Sequence, residues 1–164
     1  MSFNIYTLSQ LQQHLQANPE QWRPLVLTNG CFDLLHVGHL RYLQAAKALG
    51  RSLIIGLNSD RSVQSIKPHS PGFPQRPIIP ENQRAELLAG LKPVDGVVLF
   101  DTQTAIPLIE AIQPDIYVKG GDYTLETLPE AKAVQACGCR AEFITIEIPT
   151  STTAIIRKIL EERL

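Results

Sequence analysis

A strand that runs through a tight, glycine-containing loop into a helix constrains the fold of this chain most. Leu25-Val26-Leu27 is a short apolar run typical of a buried strand, and residues 40–49 have the apolar spacing of an amphipathic helix. The segment T-N-G-C-F-D-L-L-H-V-G-H connects the two. A helix directly after a strand favours an α/β fold, because the helix must bury its apolar face against the sheet.

The rest of the chain repeats this alternation. Strand patterns fall at 52–57, 94–100, 115–118 and 141–148, and helix patterns at 7–17, 59–66, 80–91, 104–112, 129–137 and 151–164. Strands that alternate with helices pair in parallel through right-handed crossovers. We therefore predict one Rossmann-like, doubly wound α/β domain with a parallel five-stranded sheet and helices on both faces. Residues 1–24 are predicted to be an N-terminal helical extension, and residues 67–80, which hold five prolines, an irregular loop.

Composition excludes several classes of function. The 15 basic and 16 acidic residues give a net charge of −1, which disfavours partners such as nucleic acid or an anionic membrane surface. The first residues lack the basic start and long apolar core of a signal peptide, and no later run is long enough to span a bilayer. Three cysteines do not make a disulfide framework, so we expect a reduced, cytoplasmic protein.

Two histidines stand where the helix after the first strand is predicted to begin. His36 and His39 are three residues apart, so on a helical turn they share a face and can contact one object. Gly38 has no side chain and lets a ligand approach the backbone. The helix N-terminus adds N–H groups and a partial positive charge that suit phosphate. This arrangement predicts a nucleotide site; a metal site would need a third ligand, and none is nearby at a suitable spacing.

The motifs that are absent narrow how a nucleotide would be held. The sequence has neither G-x-x-x-x-G-K-[ST] nor G-x-G-x-x-G, so ATP would not bind as in P-loop kinases or dinucleotide dehydrogenases. It also has no G-x-S-x-G elbow, so covalent acyl transfer lacks support. Transfer of a nucleotidyl group to a phosphate needs none of these motifs. It needs aligned reactants and donors that neutralise charge on the phosphate oxygens.

The segment G-C-F-D-L-L-H-V-G-H resembles the signature of the H-x-G-H nucleotidyltransferase superfamily, which includes cytidylyltransferases and pantetheine-phosphate adenylyltransferase. Three further segments resemble the D-glycero-β-D-manno-heptose 1-phosphate adenylyltransferase branch: G-L-N-S-D at 56–60, V-K-G-G-D-Y at 118–123 and S-T-T-A-I-I at 151–156. The K-G-G-D-Y string discriminates best, because cytidylyltransferases look more like M-G-D-D-W there. The resemblance covers nearly the whole chain, and residues 25–164 are predicted to form the nucleotidyltransferase domain.

This resemblance implies an enzyme that transfers AMP from ATP to the heptose 1-phosphate, giving ADP-heptose and pyrophosphate for lipopolysaccharide. It implies Mg²⁺ with ATP as co-substrate, held mainly by the triphosphate. Two alternatives remain open: a cytidylyltransferase or other adenylyltransferase acting on a polyol phosphate, flavin or phosphopantetheine, and a non-catalytic nucleotide-binding module. The family domain often follows a sugar kinase, and since 164 residues leave no room for one, a separate kinase is expected. The oligomeric state stays open, with a homodimer as one option.

The resemblance also assigns residues. The expected catalytic residues are His36, His39 and Lys67. The residues expected to bind the nucleotide are Asn29, Gly30, Cys31, Phe32, Gly38, Arg84, Lys119, Gly120, Asp122, Ser151, Thr152 and Thr153. Most of these positions follow the end of a predicted strand, so we expect them to converge on one rim of the sheet.

The expected acceptor site is less well defined. Ser59 and Arg76 are assigned to it, while Asp33 is expected to support the motif loop rather than contact phosphate. The chain departs from the cytidylyltransferases before its last helix and lacks their later arginine pattern. Whether Arg157 or Lys158 contacts phosphate is therefore left open.

Overall fold

A computed structural model describes residues 4–121, 123–145 and 150–161. The strands are β1 (Ile5–Tyr6), β2 (Leu25–Gly30), β3 (Ser52–Asn58), β4 (Gly96–Phe100), β5 (Ile116–Gly120) and β6 (Arg140–Ile144). The helices are α1 (Leu8–Ala17), α2 (Pro19–Trp22), α3 (Val37–Lys47), α4 (Asp60–Ile66), α5 (Glu81–Ala89), α6 (Ile106–Ile112), α7 (Ala131–Ala136) and α8 (Thr152–Glu161). From β2 onward each strand is followed by one helix, or by two after β3, so the predicted α/β class is confirmed.

The strands form one sheet in the order β1-β4-β3-β2-β5-β6, and every neighbouring pair is parallel. The strand β2 pairs with β3 on one side and with β5 on the other. Strand order reverses at this point, and in a doubly wound sheet the ligand crevice opens there, at the carboxyl ends of the strands.

The described sheet has six strands instead of the predicted five. The additional strand is β1, in which Ile5 and Tyr6 pair with Val97 and Val98 at the edge of the sheet. Two residues are too few to show the alternation that identifies a strand in a sequence. The predicted helical extension therefore includes a strand. It also includes a second short helix, α2, which begins at Pro19, beyond the helix predicted at residues 7–17.

Helices cover both faces of the sheet, as predicted. Leu11 of α1, Leu108 of α6 and Val134 of α7 pack in one buried apolar cluster. Leu43 of α3 and Leu88 of α5 pack in another, on the opposite side. All seven residues of β3 are buried, because a parallel strand between two helical layers meets no solvent on either side.

The connections place the sequence motifs. Residues 29–39, the motif loop, run from the end of β2 into α3, and residues 67–80, the proline-rich loop, join α4 to α5 with no regular element. Within the described residues, no helix has the length and apolar character that crossing a bilayer requires.

Candidate active site

A cleft of about 630 Å³ opens at the carboxyl ends of β2, β5 and β6. The predicted site residues that line it are Asn29, Gly30, Cys31, Phe32, His36, Gly38, His39, Lys67, Arg76, Lys119, Gly120 and Thr152. These residues come from the motif loop, the proline-rich loop, the end of β5 and the start of α8. Segments far apart in sequence thus meet on one rim of the sheet.

The two motif histidines lie against each other at the start of α3. Their ring centroids are 3.9 Å apart, with an angle of 33° between the ring planes. Nδ1 of His36 accepts the backbone N–H of Gly38 at 3.2 Å, and Nδ1 of His39 accepts the backbone N–H of His36 at 3.3 Å. Both side chains are therefore fixed by the backbone of the first helical turn.

These hydrogen bonds determine which nitrogen of each neutral imidazole carries the proton. A ring nitrogen that accepts an N–H carries no proton, so each neutral ring is protonated at Nε2. Burial lowers the pKa of His36, and burial, His36 and Lys67 lower the pKa of His39 to about 4. At neutral pH the pair therefore offers two Nε2–H donors on uncharged rings, which suits the oxygens of a phosphate.

Two glycines make room for this arrangement. A Cβ on Gly38 would lie 2.9 Å from Cε1 and Nδ1 of His36, so the ring occupies space that only glycine leaves. A Cβ on Gly30 would lie 3.0 Å from the ring of Phe32. Phe32 itself has φ +43° and packs its ring against His39, with centroids 5.4 Å apart. A non-glycine residue in this left-handed region is costly and is common at functional loops.

The carboxylate of Asp33 joins the motif loop to the end of the proline-rich loop. It is fully buried, forms an ion pair with Arg76, and accepts the backbone N–H groups of Ile78 and Ile79 at 2.8 Å and 3.0 Å. Arg76 thereby reaches the cleft wall with its Nε held by a carboxylate. The geometry agrees with the expectation that Asp33 supports the loop.

The proline-rich loop brings a positive charge to the cleft. Lys67 caps the end of α4 and is exposed at the cleft wall.

Burial raises the pKa of the Cys31 thiol, although Lys67 and two arginines oppose this shift. A thiol held protonated is a poor nucleophile, so covalent chemistry at Cys31 has no support.

The start of α8 contributes polar groups. Ser151 accepts the N–H of Ala154 at 3.1 Å and so caps the helix. Thr152 lines the cleft and donates to the carbonyl of Leu34 at 3.4 Å. Ser151 and Thr153 are exposed and do not line the cleft wall.

Arg157, also on α8, contacts the proline-rich loop. Its Cζ lies 5.9 Å from the ring centroid of Phe73.

Arg84 lies behind the motif loop and not on the cleft wall, contrary to the expectation that it faces the site. Its guanidinium is fully buried and donates to the carbonyls of Ile79 at 2.8 Å, Cys31 at 2.6 Å and Asn58 at 2.9 Å, and to Asp60 at 2.7 Å. These acceptors are protein groups, so Arg84 holds the loop that carries the site.

Ser59 also lies away from the main cleft. It caps α4 by accepting the N–H of Ser62 at 3.1 Å and donates to Asp101. It lines a neighbouring depression instead, together with Asp60 and Glu81. The structure therefore gives no support to its assignment to the acceptor. Asp122, expected to bind the nucleotide, lies outside the described residues.

Six residues that line the cleft were not assigned from sequence. They are Tyr42, Gly121, Tyr123, Ile144, Thr145 and Thr150. Tyr42 donates to the carbonyl of Val118 at 3.2 Å, shares a hydrogen bond with Thr28 at 2.7 Å, and packs where a Cβ on Gly120 would meet its ring at 3.2 Å. The sequence signal for the inward position of Tyr42 is its place on the inner face of the amphipathic helix α3.

The described side chains of the cleft do not form a metal site of their own. Within the described ranges, no group of three or more His, Cys, Asp or Glu side chains is arranged to hold a metal ion. Both oxygens of Asp33 already accept hydrogen bonds from protein groups. A divalent ion would thus have to bring its other ligands with it, as Mg²⁺ does when it is bound to a triphosphate.

Comparison with known proteins places the chain among relatives. A family model described as cytidylyltransferase-like matches residues 27–158. The bifunctional protein HldE of Syntrophotalea carbinolica is 47% identical over 92% of this chain and 30% of its own length. The bifunctional protein HldE of Trichlorobacter lovleyi is 48% identical, again over 92% of this chain and 30% of its own length. The chain thus spans about 30% of the length of the curated relatives that it matches.

A solved structure shares the fold. The lipopolysaccharide core biosynthesis protein of Thermoplasma volcanium superposes with a TM-score of 0.59 and 27% sequence identity. The match covers 76% of this chain and 97% of that one.

Proposed function

The chain belongs to the cytidylyltransferase-like family, as its H-x-G-H motif predicted, and we propose that it transfers AMP from ATP to D-glycero-β-D-manno-heptose 1-phosphate. The products would be ADP-heptose and pyrophosphate. The geometry of His36 and His39 is the main observation in support of a transfer reaction. Their Nδ1 atoms accept backbone N–H groups, so their Nε2–H groups are left to donate to a phosphate.

The proposed reaction is a single in-line displacement. A phosphate oxygen of the sugar 1-phosphate attacks the α-phosphorus of ATP, and the bond from that phosphorus to the bridging oxygen of the pyrophosphate breaks. Negative charge grows on the non-bridging oxygens of the α-phosphate and on the leaving group. Donors fixed in advance at these positions stabilise the transition state more than the ground state.

The cleft residues suit these tasks. His36 and His39 would donate to the α-phosphoryl oxygens without moving, because the helix backbone holds both rings. Lys67, exposed on the cleft wall, would neutralise charge on the pyrophosphate. Thr152 and backbone N–H groups in the first turn of α8 would add donors for the same phosphates. Mg²⁺ bound by the triphosphate would supply further charge neutralisation.

The choice of ATP and of a heptose rests on family likeness. The K-G-G-D-Y and S-T-T segments resemble heptose 1-phosphate adenylyltransferases more than cytidylyltransferases. The relatives at 47–48% identity carry the name HldE, and the structural neighbour is named for lipopolysaccharide core biosynthesis. Arg76, held at the cleft wall by Asp33, would meet the acceptor's phosphate or hydroxyls.

The proposed substrates imply what surrounds the enzyme. A kinase must make the sugar 1-phosphate, and the relatives are named bifunctional while this chain matches about 30% of each. Because the donor is ATP, we propose that the reaction takes place in the cytoplasm. A homodimer is a proposal that sedimentation of the purified protein would decide.

A pyrophosphate-release assay tests the function directly. ATP, CTP, GTP and UTP are each combined with heptose 1-phosphate, glycerol 3-phosphate and phosphopantetheine, with Mg²⁺ present. We expect the highest kcat/KM for ATP with the heptose. Faster turnover of CTP, or of either other acceptor, would refute the assigned substrates and leave only nucleotidyl transfer.

Histidine variants test the site within the same assay. His36→Ala and His39→Ala should each lower kcat by about 10²-fold, the scale observed when a preorganised transition-state donor is lost. His69→Ala, in the exposed proline-rich loop, is the matched control and should retain the wild-type rate. Near-normal rates in both motif variants would refute the active-site assignment.

A further inference from the structure

A buried carboxylate stands behind the cleft wall and has no part in the reaction described above. Glu130 directly precedes α7, and its side chain is 3% exposed. Its Oε1 accepts the backbone N–H of Ala105 at 3.3 Å and lies 3.6 Å from Nζ of Lys119. Its Oε2 makes no hydrogen bond within the part of the chain that the structure describes. A buried carboxylate needs a nearby cation, so Lys119 compensates its charge.

The ammonium of Lys119 is directed at protein groups although the side chain lines the cleft. Nζ donates to Oδ1 of Asn29 at 3.1 Å and lies 3.5 Å from the hydroxyl oxygen of Tyr117. With Glu130, which forms an ion pair with Nζ at 3.6 Å, the ammonium has three polar partners inside the protein. The position of the charge is therefore set from inside the protein.

The same contacts orient the amide of Asn29. Its Oδ1 accepts from the Tyr117 hydroxyl at 2.6 Å as well as from Lys119. Both partners donate, so the amide atom that faces them must be the oxygen. Nδ2 points away from them, and no residue of the described ranges accepts a hydrogen bond from it. Asn29 lines the cleft, so two N–H donors remain for a ligand.

We propose that Glu130 is a positioning residue: its carboxylate fixes the Lys119 ammonium, which together with Tyr117 holds the Asn29 amide with its N–H groups toward the bound nucleotide. Amide N–H donors in this place suit a ribose or phosphate oxygen. The proposal rests on the proposed function only for the identity of the ligand that Asn29 meets.

A measurement without ligand tests the positioning itself. Glu130→Gln keeps the size of the side chain and an acceptor for Ala105 but removes the charge. We expect the ¹⁵N signal of the Lys119 ammonium, protected in the wild type, to be lost to exchange, and the Asn29 side-chain amide signals to shift. Glu126→Gln, exposed on the same segment, is the control and should change neither. Unchanged Lys119 and Asn29 signals in Glu130→Gln would overturn the proposal.

Titration with ATP and steady-state kinetics test the consequence. Glu130→Gln should raise the Kd and KM for ATP about tenfold, the size expected for coupled residues in one network, and leave kcat within about twofold. In an Asn29→Ala background the same substitution should have no further effect on the Kd. A lower kcat at unchanged KM, or an effect that adds to that of Asn29→Ala, would overturn the positioning role.

A second variant keeps the test decisive if Glu130→Gln does not fold. Tyr117→Phe removes one donor to Asn29 and retains the packed ring, so it should also weaken ATP binding several-fold. An unchanged Kd would count against the network. A wild-type protein that binds no nucleoside triphosphate would refute the proposed function, whereas the ligand-free spectra would still decide the positioning role.

Discussion

Arg76 forms an ion pair with Asp33 in which the carboxylate is fully buried and the guanidinium is 13% exposed. The two residues are far apart in sequence, and their pairing closes the proline-rich loop against the motif loop. The same carboxylate accepts two backbone N–H groups of that loop, from Ile78 and Ile79. The loop that reaches the cleft is therefore anchored by one buried side chain.

Asp33→Asn should destabilise the protein markedly. All its partners are donors, and an amide would turn an N–H group toward one of them while leaving Arg76 without a counter-charge. Removing one member of a buried pair costs roughly 3 kcal/mol, which urea unfolding would measure. Glu142→Gln is the control, because its pair with Arg140 is exposed and should contribute less than about 1 kcal/mol. Equal losses in the two variants would contradict the anchoring role.

Arg84→Lys separates a structural role from a nucleotide-binding role. The single ammonium nitrogen of a lysine cannot contact all the acceptors that the three guanidinium nitrogens meet, so we expect a loss of roughly 3 kcal/mol in the free energy of unfolding. Arg61→Lys, in an exposed pair with Asp101, is the control and should change little. Weaker ATP binding with unchanged stability in Arg84→Lys would restore the assignment of Arg84 to the nucleotide.

The sequence predicted the elements that depend on local pattern. Five strands and the helices that follow them were predicted because each segment has at least four residues. That length is enough for an apolar run or an apolar repeat to be recognised. The two-residue strand β1 offers no such period, and its pairing with β4 depends on contacts that form only in the folded sheet. The predicted class was right, and the error in strand number has this cause.

The site was predictable to the extent that its residues are neighbours in sequence. His36, Gly38 and His39 lie together at the start of α3, so their spacing already predicts that they contact one ligand. The direction of a lone side chain, such as Arg84 or Ser59, depends on how its helix packs against the sheet. For the same reason the contact between Glu130 and Lys119 was not predicted: neither residue's neighbours in sequence indicate it.

The stability of the protein should depend on pH through His39. The pKa is about 4 in the folded protein, lowered mainly by burial, and 6.5 is the ordinary value expected in the unfolded chain. Between these values the unfolded chain binds more protons, so the free energy of unfolding rises with pH in this window. The stability that the neutral His39 contributes is therefore lost as the pH falls from about 6.5 to about 4. Urea unfolding across this range would measure the slope.

His39→Gln should reduce that slope, because the group that takes up a proton only on unfolding is gone. His69→Gln replaces an exposed histidine of the proline-rich loop and should retain the wild-type slope. If His39→Gln and the wild type lost stability equally on acidification, the imidazole would not be held neutral in the fold.

Gly38→Ala should impair catalysis more than it lowers stability. The added Cβ would lie 2.9 Å from the His36 ring, which must move and so shift its Nε2–H donor. Alanine is favoured over glycine within a helix by about 1 kcal/mol, which offsets part of the strain. Because small misplacement of a transition-state donor costs much of its effect, we expect kcat to fall at least tenfold. Gly90→Ala, whose Cβ would meet only ordinary contacts at 3.5 Å, is the matched control. Wild-type kcat in Gly38→Ala would show that the His36 ring position is not what the reaction requires.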